Sequence, residues 1–367
     1  MRVLLNPAAT EATIPSFYQA IRPLIFLTRP EFAHHATLDL LRLAGAVAPV
    51  SAILARCYRP RLPLQPVSAM GLTFPNAVGL AAGYDKDGTA WRGLATLGFG
   101  HIELGTITPL AQPGNPKPRV FRLVQDEAVI NRMGFPNRGA SYLKRRLSRR
   151  RSGASLLGIS LGKNKATPLE DAWKDYVGSL RELYGLADYF AINVSSPNTP
   201  HLRDLQREQA LRGVLEPLVH ERDGLDQARG RKTPLWVKVS PDLATTELEN
   251  ALQVILDLGI DGVIVSNTSE ARPSLKSSSA GETGGLSGAP LNARNTAMIA
   301  HVHALTRGRL PIIASGGILR PEDALAKLEA GATLVQLYTG MIYYGPALVR
   351  DTIDAIARYQ AARAITQ

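Results

Sequence analysis

The stretch Tyr189-Phe190-Ala191-Ile192-Asn193-Val194-Ser195-Ser196-Pro197-Asn198-Thr199-Pro200 decides how the fold is read. An apolar run that stops in two asparagines, two serines and two prolines cannot continue as a ladder, because proline lacks the donor and short polar side chains compete for backbone groups. It reads as a strand whose C-terminal end opens into a loop. Such residues dominate turns in general, so a plain polar turn and a ligand-gripping loop both stay open at this point. Two amides flanking a hydroxyl suit the second, since they offer alternating donors and acceptors.

Outward from this run the same texture recurs. Apolar strands are predicted at residues 77–81, 101–105, 157–161, 189–194, 235–239, 262–266, 312–315 and 334–337, with charged helical patterns between them at 88–97, 169–184, 245–258 and 321–330. Eight strand–helix alternations over about 290 residues predict an α/β fold, a closed (β/α)8 TIM barrel. An open doubly wound sheet is the alternative. Against it, no Gly-x-Gly-x-x-Gly with a suitably placed acidic residue follows the first strand.

Composition narrows the function classes. The chain has 367 residues, 45% of them hydrophobic, with a net charge of +11, which allows one large domain plus an appendage. The basic excess raises nucleic acid or an anionic membrane as partners. Much of it, however, is gathered in Lys144-Arg145-Arg146 and Arg149-Arg150-Arg151 on a single predicted helix. No zinc spacing or aromatic-interleaved basic strand accompanies them, so a solvated helix face is the preferred reading and nucleic acid is not expected. The lone Cys57 excludes a disulfide framework and any cysteine-cluster metal site. No Asp/His constellation suits a catalytic metal, and His34-His35, His301 and His303 lie on helical segments where structural roles are expected.

The first 60 residues differ from the rest. Residues 1–15 read as an irregular leader, followed by two short amphipathic helices at about 30–47 and 50–58. The longest apolar stretch, residues 43–55, is interrupted by Pro49 and falls short of the roughly 20 residues that cross a bilayer. These helices either cap the barrel or form a monotopic membrane foot, with Arg22, Arg29, Arg42, Arg56 and Arg59 facing lipid phosphates. The expected division is a helical extension over 1–60 and the barrel over 61–367.

Active sites of such barrels lie at the C-terminal ends of the strands, so the residues after each run form one ring. It contains Ala82-Gly83-Tyr84-Asp85-Lys86, Gly105-Thr106, the excursion through Asn131-Arg132-Met133-Gly134-Phe135, Gly162-Lys163-Asn164, the 193–200 loop, Lys238, Ser266-Asn267-Thr268, Ser315-Gly316-Gly317 and Tyr338-Thr339-Gly340. Glycines after the seventh and eighth strands are where barrels commonly hold phosphate. Lys86 and Lys238, set among asparagines, need a partner or a function, because desolvating an ammonium is costly.

At this point the residues carry a resemblance. AAGYDKDG (81–88), GTITP (105–109), QPGNP (112–116), PRVFRL (118–123), INRMGF (130–135), SSPNTP (195–200), TGGLSG (283–288), and the Gly-Gly and Tyr-Thr-Gly turns resemble class 2, quinone-dependent dihydroorotate dehydrogenases. The likeness runs in order from about Phe17 to the C-terminus. It implies an FMN-binding barrel that oxidises dihydroorotate to orotate in pyrimidine biosynthesis and passes electrons to a membrane quinone, peripherally on the cytoplasmic side of the cell inner membrane. It implies Ser196 as base, with Thr199 in a proton relay and Lys86 between flavin and substrate carboxylate. Asn131, Arg132, Met133, Gly134, Phe135, Asn193, Asn198, Asn267 and Thr268 then surround the pyrimidine. Flavin contacts fall on Ala82, Gly83, Lys86, Thr106, Ser160, Asn193, Lys238, Ser266, Gly288, Gly317, Tyr338 and Thr339; Ser160 stands where the family carries an asparagine. Arg122 and Tyr338 are placed at the inner end of a quinone tunnel formed by the N-terminal helices. Soluble class 1 enzymes use cysteine as base, whereas the only cysteine here is Cys57, far from the 193–200 loop.

Overall fold

The computed structural model describes residues 17–148 and 155–366. The predicted leader and Arg149, Arg150 and Arg151 lie outside the described residues. The chain opens with three helices, α1 (Phe17–Leu27), α2 (Pro30–Ala46) and α3 (Ala48–Cys57). Sequence periodicity led to two; α1 has an internal Pro23, which obscures its pattern. A short antiparallel hairpin follows, β1 (Val67–Ala69) and β2 (Leu72–Phe74).

The barrel begins with β3 (Val78–Leu80), α4 (Trp91–Ala95) and β4 (His101–Ile107). An excursion then adds β5 (Val120–Leu123), β6 (Ala128–Asn131) and α5 (Ala140–Leu147) before β7 (Leu156–Leu161). The regular alternation resumes with α6 (Ala172–Leu183), β8 (Tyr189–Asn193), α7 (Glu208–Arg229), β9 (Leu235–Val239), α8 (Thr245–Asp257) and β10 (Gly262–Val265). The chain closes through β11 (Gly285–Gly288), α9 (Asn292–Thr306), β12 (Ile312–Ser315), α10 (Pro321–Glu329), β13 (Leu334–Leu337), α11 (Thr339–Tyr344) and α12 (Ala347–Thr366). Strands β3, β4, β7, β8, β9, β10, β12 and β13 pair in that order, all parallel, and β13 returns to β3 to close the barrel. The eight predicted runs are these eight strands.

The barrel is filled rather than hollow at its N-terminal end. Phe74, His101, Tyr189 and Trp236 pack edge to face or tilted inside it, with centroids 5.4–6.5 Å apart. Glycines on neighbouring strands make the room. A Cβ at Gly79 would sit 2.0 Å from the His101 ring, one at Gly158 2.1 Å from Tyr189, and one at Gly262 2.3 Å from Trp236. Above this layer lies a buried polar set in which Glu103 accepts hydrogen bonds from Gln336 (2.9 Å) and Tyr189 (3.4 Å). The hairpin β1–β2 closes the bottom through Phe74, so everything chemical is left to the opposite end.

There, β5, β6 and β11 form a separate antiparallel sheet, β11–β6–β5, and α1–α3 lie over the barrel mouth. No residue of these three helices is fully buried. Phe17, Leu24, Leu27, Phe32, Leu40, Leu43 and Ile53 remain exposed on them, Leu40 and Leu43 beside the cavity. Among the described residues no single helix is long and apolar enough to cross a membrane; α2 and α3 meet at a 111° bend. Arg22 departs from the expectation of a lipid-facing side chain. It turns inward, donating to the Tyr343 carbonyl at 3.0 Å and lying over the Phe26 ring.

Candidate active site

One cavity of about 750 Å³ runs from the strand ends of the barrel out between the N-terminal helices. Its barrel end is built by loops that the strands deliver. The 193–200 stretch is largely buried and tied down at its start: the Asn193 carbonyl accepts from Tyr176 Oη (3.0 Å), and its side-chain amide donates to Thr106 Oγ1 (2.8 Å). Asn267 Nδ2 bridges Asn193 Oδ1 (3.1 Å) and Ser195 Oγ (3.0 Å). Asn198 Nδ2 donates to Asn131 Oδ1 (3.2 Å). Four asparagines from three different segments therefore meet as two hydrogen-bonded pairs, and all four line the cavity.

Ser196 is buried, faces the cavity, and its Oγ accepts the Asn198 backbone N–H at 3.3 Å. Thr199 is buried three residues on, behind the lining. Two cations approach the same space. Lys86 donates to the Gly83 carbonyl (2.6 Å), and burial, then repulsion from Arg119, lowers its pKa to about 8. Lys238 is buried on β9 and lines the cavity, yet its ammonium has no hydrogen-bonded partner among the described residues. Burial lowers its pKa and the nearby Glu103 opposes that shift.

Of the residues expected at a flavin, Ala82, Gly83, Thr106, Asn193, Lys238, Ser266, Gly317, Tyr338 and Thr339 line the cavity. Ser160 and Gly288 do not. Ser160 lies behind Thr106, joined to it hydroxyl to hydroxyl at 3.0 Å, and Gly288 packs under Thr339 and the Glu127 carbonyl. On the expected substrate side, Asn131, Met133, Gly134, Phe135, Asn267 and Thr268 line the cavity, whereas Arg132 points away to Glu282 (2.6 Å) and over the Phe121 ring.

The outer end is apolar, walled by Tyr18, Ile25, Leu41, Ala44, Leu54 and Tyr58 among others. Arg122 and Tyr338 stand at its junction with the barrel. Arg122 holds the turn between α1 and α2 through the Thr28 (2.8 Å) and Ile25 (3.4 Å) carbonyls and lies over Phe26. Tyr338 Oη donates to the Gly83 carbonyl at 3.3 Å, and its pKa is pushed up to about 12 by burial.

Two residues escaped the sequence reading. His34, expected to be structural, lines the cavity and packs edge-on to Tyr84 (5.3 Å), which in turn meets Tyr338 (5.7 Å). Burial lowers its pKa to about 3, so the ring is neutral. Arg203 ties the two asparagine-bearing loops together, donating to the Ser195 (3.3 Å) and Thr268 (3.0 Å) carbonyls while paired with Asp242 and Glu270. The basic helix also proves mixed: Lys144 and Arg145 are exposed, but Arg146 braces the Gly88 and Thr89 carbonyls.

Residues 65–359 match the protein family described as dihydroorotate dehydrogenase. A protein of Halorhodospira halophila named dihydroorotate dehydrogenase (quinone) is 48% identical over 345 residues, covering 93% of this chain and 98% of that protein. One of the same name from Azotobacter vinelandii is 46% identical over 349 residues, covering 95% and 99%. Among solved structures, the Eimeria tenella enzyme in complex with ferulenol superposes with a TM-score of 0.83 at 36% identity, covering 93% of this chain and 95% of that one.

Proposed function

The chain belongs to the dihydroorotate dehydrogenase family, and from that premise we propose that it oxidises (S)-dihydroorotate to orotate, with FMN as hydride acceptor and a membrane quinone as final electron acceptor. The observation that carries this reading is the single cavity with a polar, lysine-bearing end in the barrel and an apolar end under α1–α3. An anionic pyrimidine suits the first and a quinone the second.

A flavin fits the space between. The unpartnered Lys238 ammonium asks for an acceptor, and Gly83, Gly316 and Gly317 present side-chain-free backbone to the cavity. FMN would be held by Ala82, Gly83, Thr106, Asn193, Lys238 and Ser266, with its phosphate against Gly316, Gly317 and Thr339, as barrels hold phosphate after the last two strands. When bound, it supplies the acceptor for the hydride leaving C6 of dihydroorotate and hands the electrons on to quinone.

The chain's own residues do the rest. Asn131, Asn193, Asn198 and Asn267 match the alternating N–H and C=O edge of the ring, and Thr268 joins them. Lys86 binds the carboxylate. Ser196 takes the C5 proton, and Thr199 lies on its way out. A hydroxyl is a weak base, so it depends on orientation and on exclusion of water, which its burial provides. Lys238 places fixed positive charge where negative charge accumulates during reduction, a preorganised stabilisation. Helices α1–α3 form a separate unit over the mouth, and their exposed apolar side chains sink into one leaflet of the inner membrane from the cytoplasmic side. The deciding experiment is dihydroorotate oxidation with a quinone analogue, fumarate or NAD as acceptor. Turnover with quinone is expected; turnover with fumarate alone would overturn the quinone assignment.

A further inference from the structure

A continuous set of polar contacts links the outer helices to the substrate end. Glu31 stands in the first turn of α2, and Oε1 accepts from Arg119 Nη2 (2.7 Å) and Nε (3.1 Å). Both side chains are nearly buried, at 13% and 8% exposure, so the pair is shielded from salt and solvent. The remaining guanidinium nitrogen of Arg119 donates to the Pro113 (2.8 Å) and Asn115 (3.0 Å) carbonyls, shaping that turn. Asn115 then reaches the site twice: Nδ2 donates to the Arg132 (3.1 Å) and Asn198 (3.0 Å) carbonyls, and its backbone N–H to Met133 (2.9 Å). Gly134 is pressed against it so closely that a Cβ there would lie 2.7 Å from Asn115 Cγ. Asn198 is the residue that pairs with Asn131 and donates to Ser196 Oγ.

We infer that Glu31, through Arg119 and Asn115, is a positioning residue that couples the seating of α2 to the shape of the substrate loop. The inference rests on the proposed reading of the cavity and of the membrane face. Helix α2 leaves Phe32, Leu40 and Leu43 exposed, the two leucines at the rim of the cavity, so a lipid surface that covers them fixes its position. A charged pair in which two guanidinium nitrogens converge on one carboxylate oxygen transmits that position with directional precision that apolar contact lacks. Orotate affinity and lipid binding then reinforce each other, by the same factor in both directions.

The test measures orotate Kd calorimetrically on the holoenzyme, with and without equimolar phosphatidylethanolamine–phosphatidylglycerol vesicles. For the unaltered protein, vesicles tighten orotate binding by about fivefold or more, within the range usual for coupled sites. In Glu31→Gln and in Arg119→Lys that ratio falls to about one, and Glu31→Asp restores part of it. Lys117→Ala, which removes an exposed contact to the same carboxylate at 3.4 Å, leaves the ratio intact. Taking a ratio cancels the direct electrostatic effect of each substitution on the orotate anion. Equal affinities with and without vesicles in the unaltered protein would overturn the inference, as would full coupling in Glu31→Gln. Failure of the unaltered protein to bind orotate, or to float with vesicles, would remove the underlying reading as well.

Discussion

Replacing Ser196 with alanine removes one oxygen from a buried loop, and two effects of that loss differ enough in size to be separated. Structurally, the change frees the Asn198 N–H from a hydrogen bond of 3.3 Å. An exchange of that kind costs about 1 kcal/mol, a shift of a few degrees in melting temperature at most for a chain of this length. Asn198 keeps its other ties, to Asn131 and Asn115, so the loop should hold its shape. Chemically, a positioned base contributes about 10²–10⁴-fold, or about 2.7–5.5 kcal/mol of barrier. The chemical loss therefore dominates. Stopped-flow bleaching of the flavin by saturating dihydroorotate reads it directly, with orotate affinity and FMN content as controls. The expected result is reduction slowed by at least about a hundredfold, with orotate Kd and FMN content little changed. Reduction within about tenfold of the unaltered rate would remove Ser196 as the base, and a parallel collapse of orotate affinity would place its role in holding the loop.

Three further outcomes follow from the geometry. Burial lowers the Lys86 pKa to about 8; if Lys86 holds the substrate carboxylate as proposed, it does so only when charged, so orotate affinity should be flat well below that pH and weaken by about tenfold by pH 9; Lys86→Met should bind weakly and lose this pH dependence, as calorimetry across the range will check. Gly317 adopts φ +71°, and a Cβ there would meet the Asn292 backbone at 2.4 Å. Gly317→Ala should cost about 1–2 kcal/mol for conformation alone, with more from the overlap, and should lower the flavin absorbance retained per protein after dialysis. Arg122→Ala frees the α1–α2 turn from its two carbonyl contacts, so the quinone KM should rise by about tenfold while flavin reduction by dihydroorotate is unchanged in single turnover.

The barrel was legible because its strands are buried on both faces and read as short continuous apolar runs bounded by glycine, proline and short polar residues. Its accessory strands were not. β1, β2, β5, β6 and β11 have three or four residues each, too few for alternation to register. At the site, residues on or just after strand ends are legible by position alone: Lys86, Asn193, Lys238 and Asn267 line one cavity. Residues acting across long sequence separations left no local signal. Arg203 joins Ser195 to Thr268, and Glu31 meets Arg119 from 88 positions away. The place of His34 at the cavity left no signal for a different reason. The apolar stripe of α2 leaves a barrel cap and a membrane foot open, and neither reading puts a cavity beneath it; no α2 residue is fully buried, because the helix borders that cavity.

That cavity also explains why the proposed base and the outer helices belong together. A soluble electron acceptor could approach the barrel mouth through water, with no need of a roof. Here Arg122, His34 and Tyr84 line the junction between α1–α3 and the strand ends, joined to their neighbours by aromatic and cation–π contacts, and the outer passage is lined mainly by apolar side chains. Such a passage disfavours small anions, whose desolvation it cannot repay, and admits an apolar ring without penalty. The polar end, by contrast, offers paired amides and Lys86 to an anion and nothing to a hydrocarbon tail. The two substrates are thus sorted by solvation before any specific contact forms, each confined to its own end of one cavity. What lies between, beside Gly83, Thr106 and Lys238, is where an electron carrier must sit if the two ends are to exchange anything.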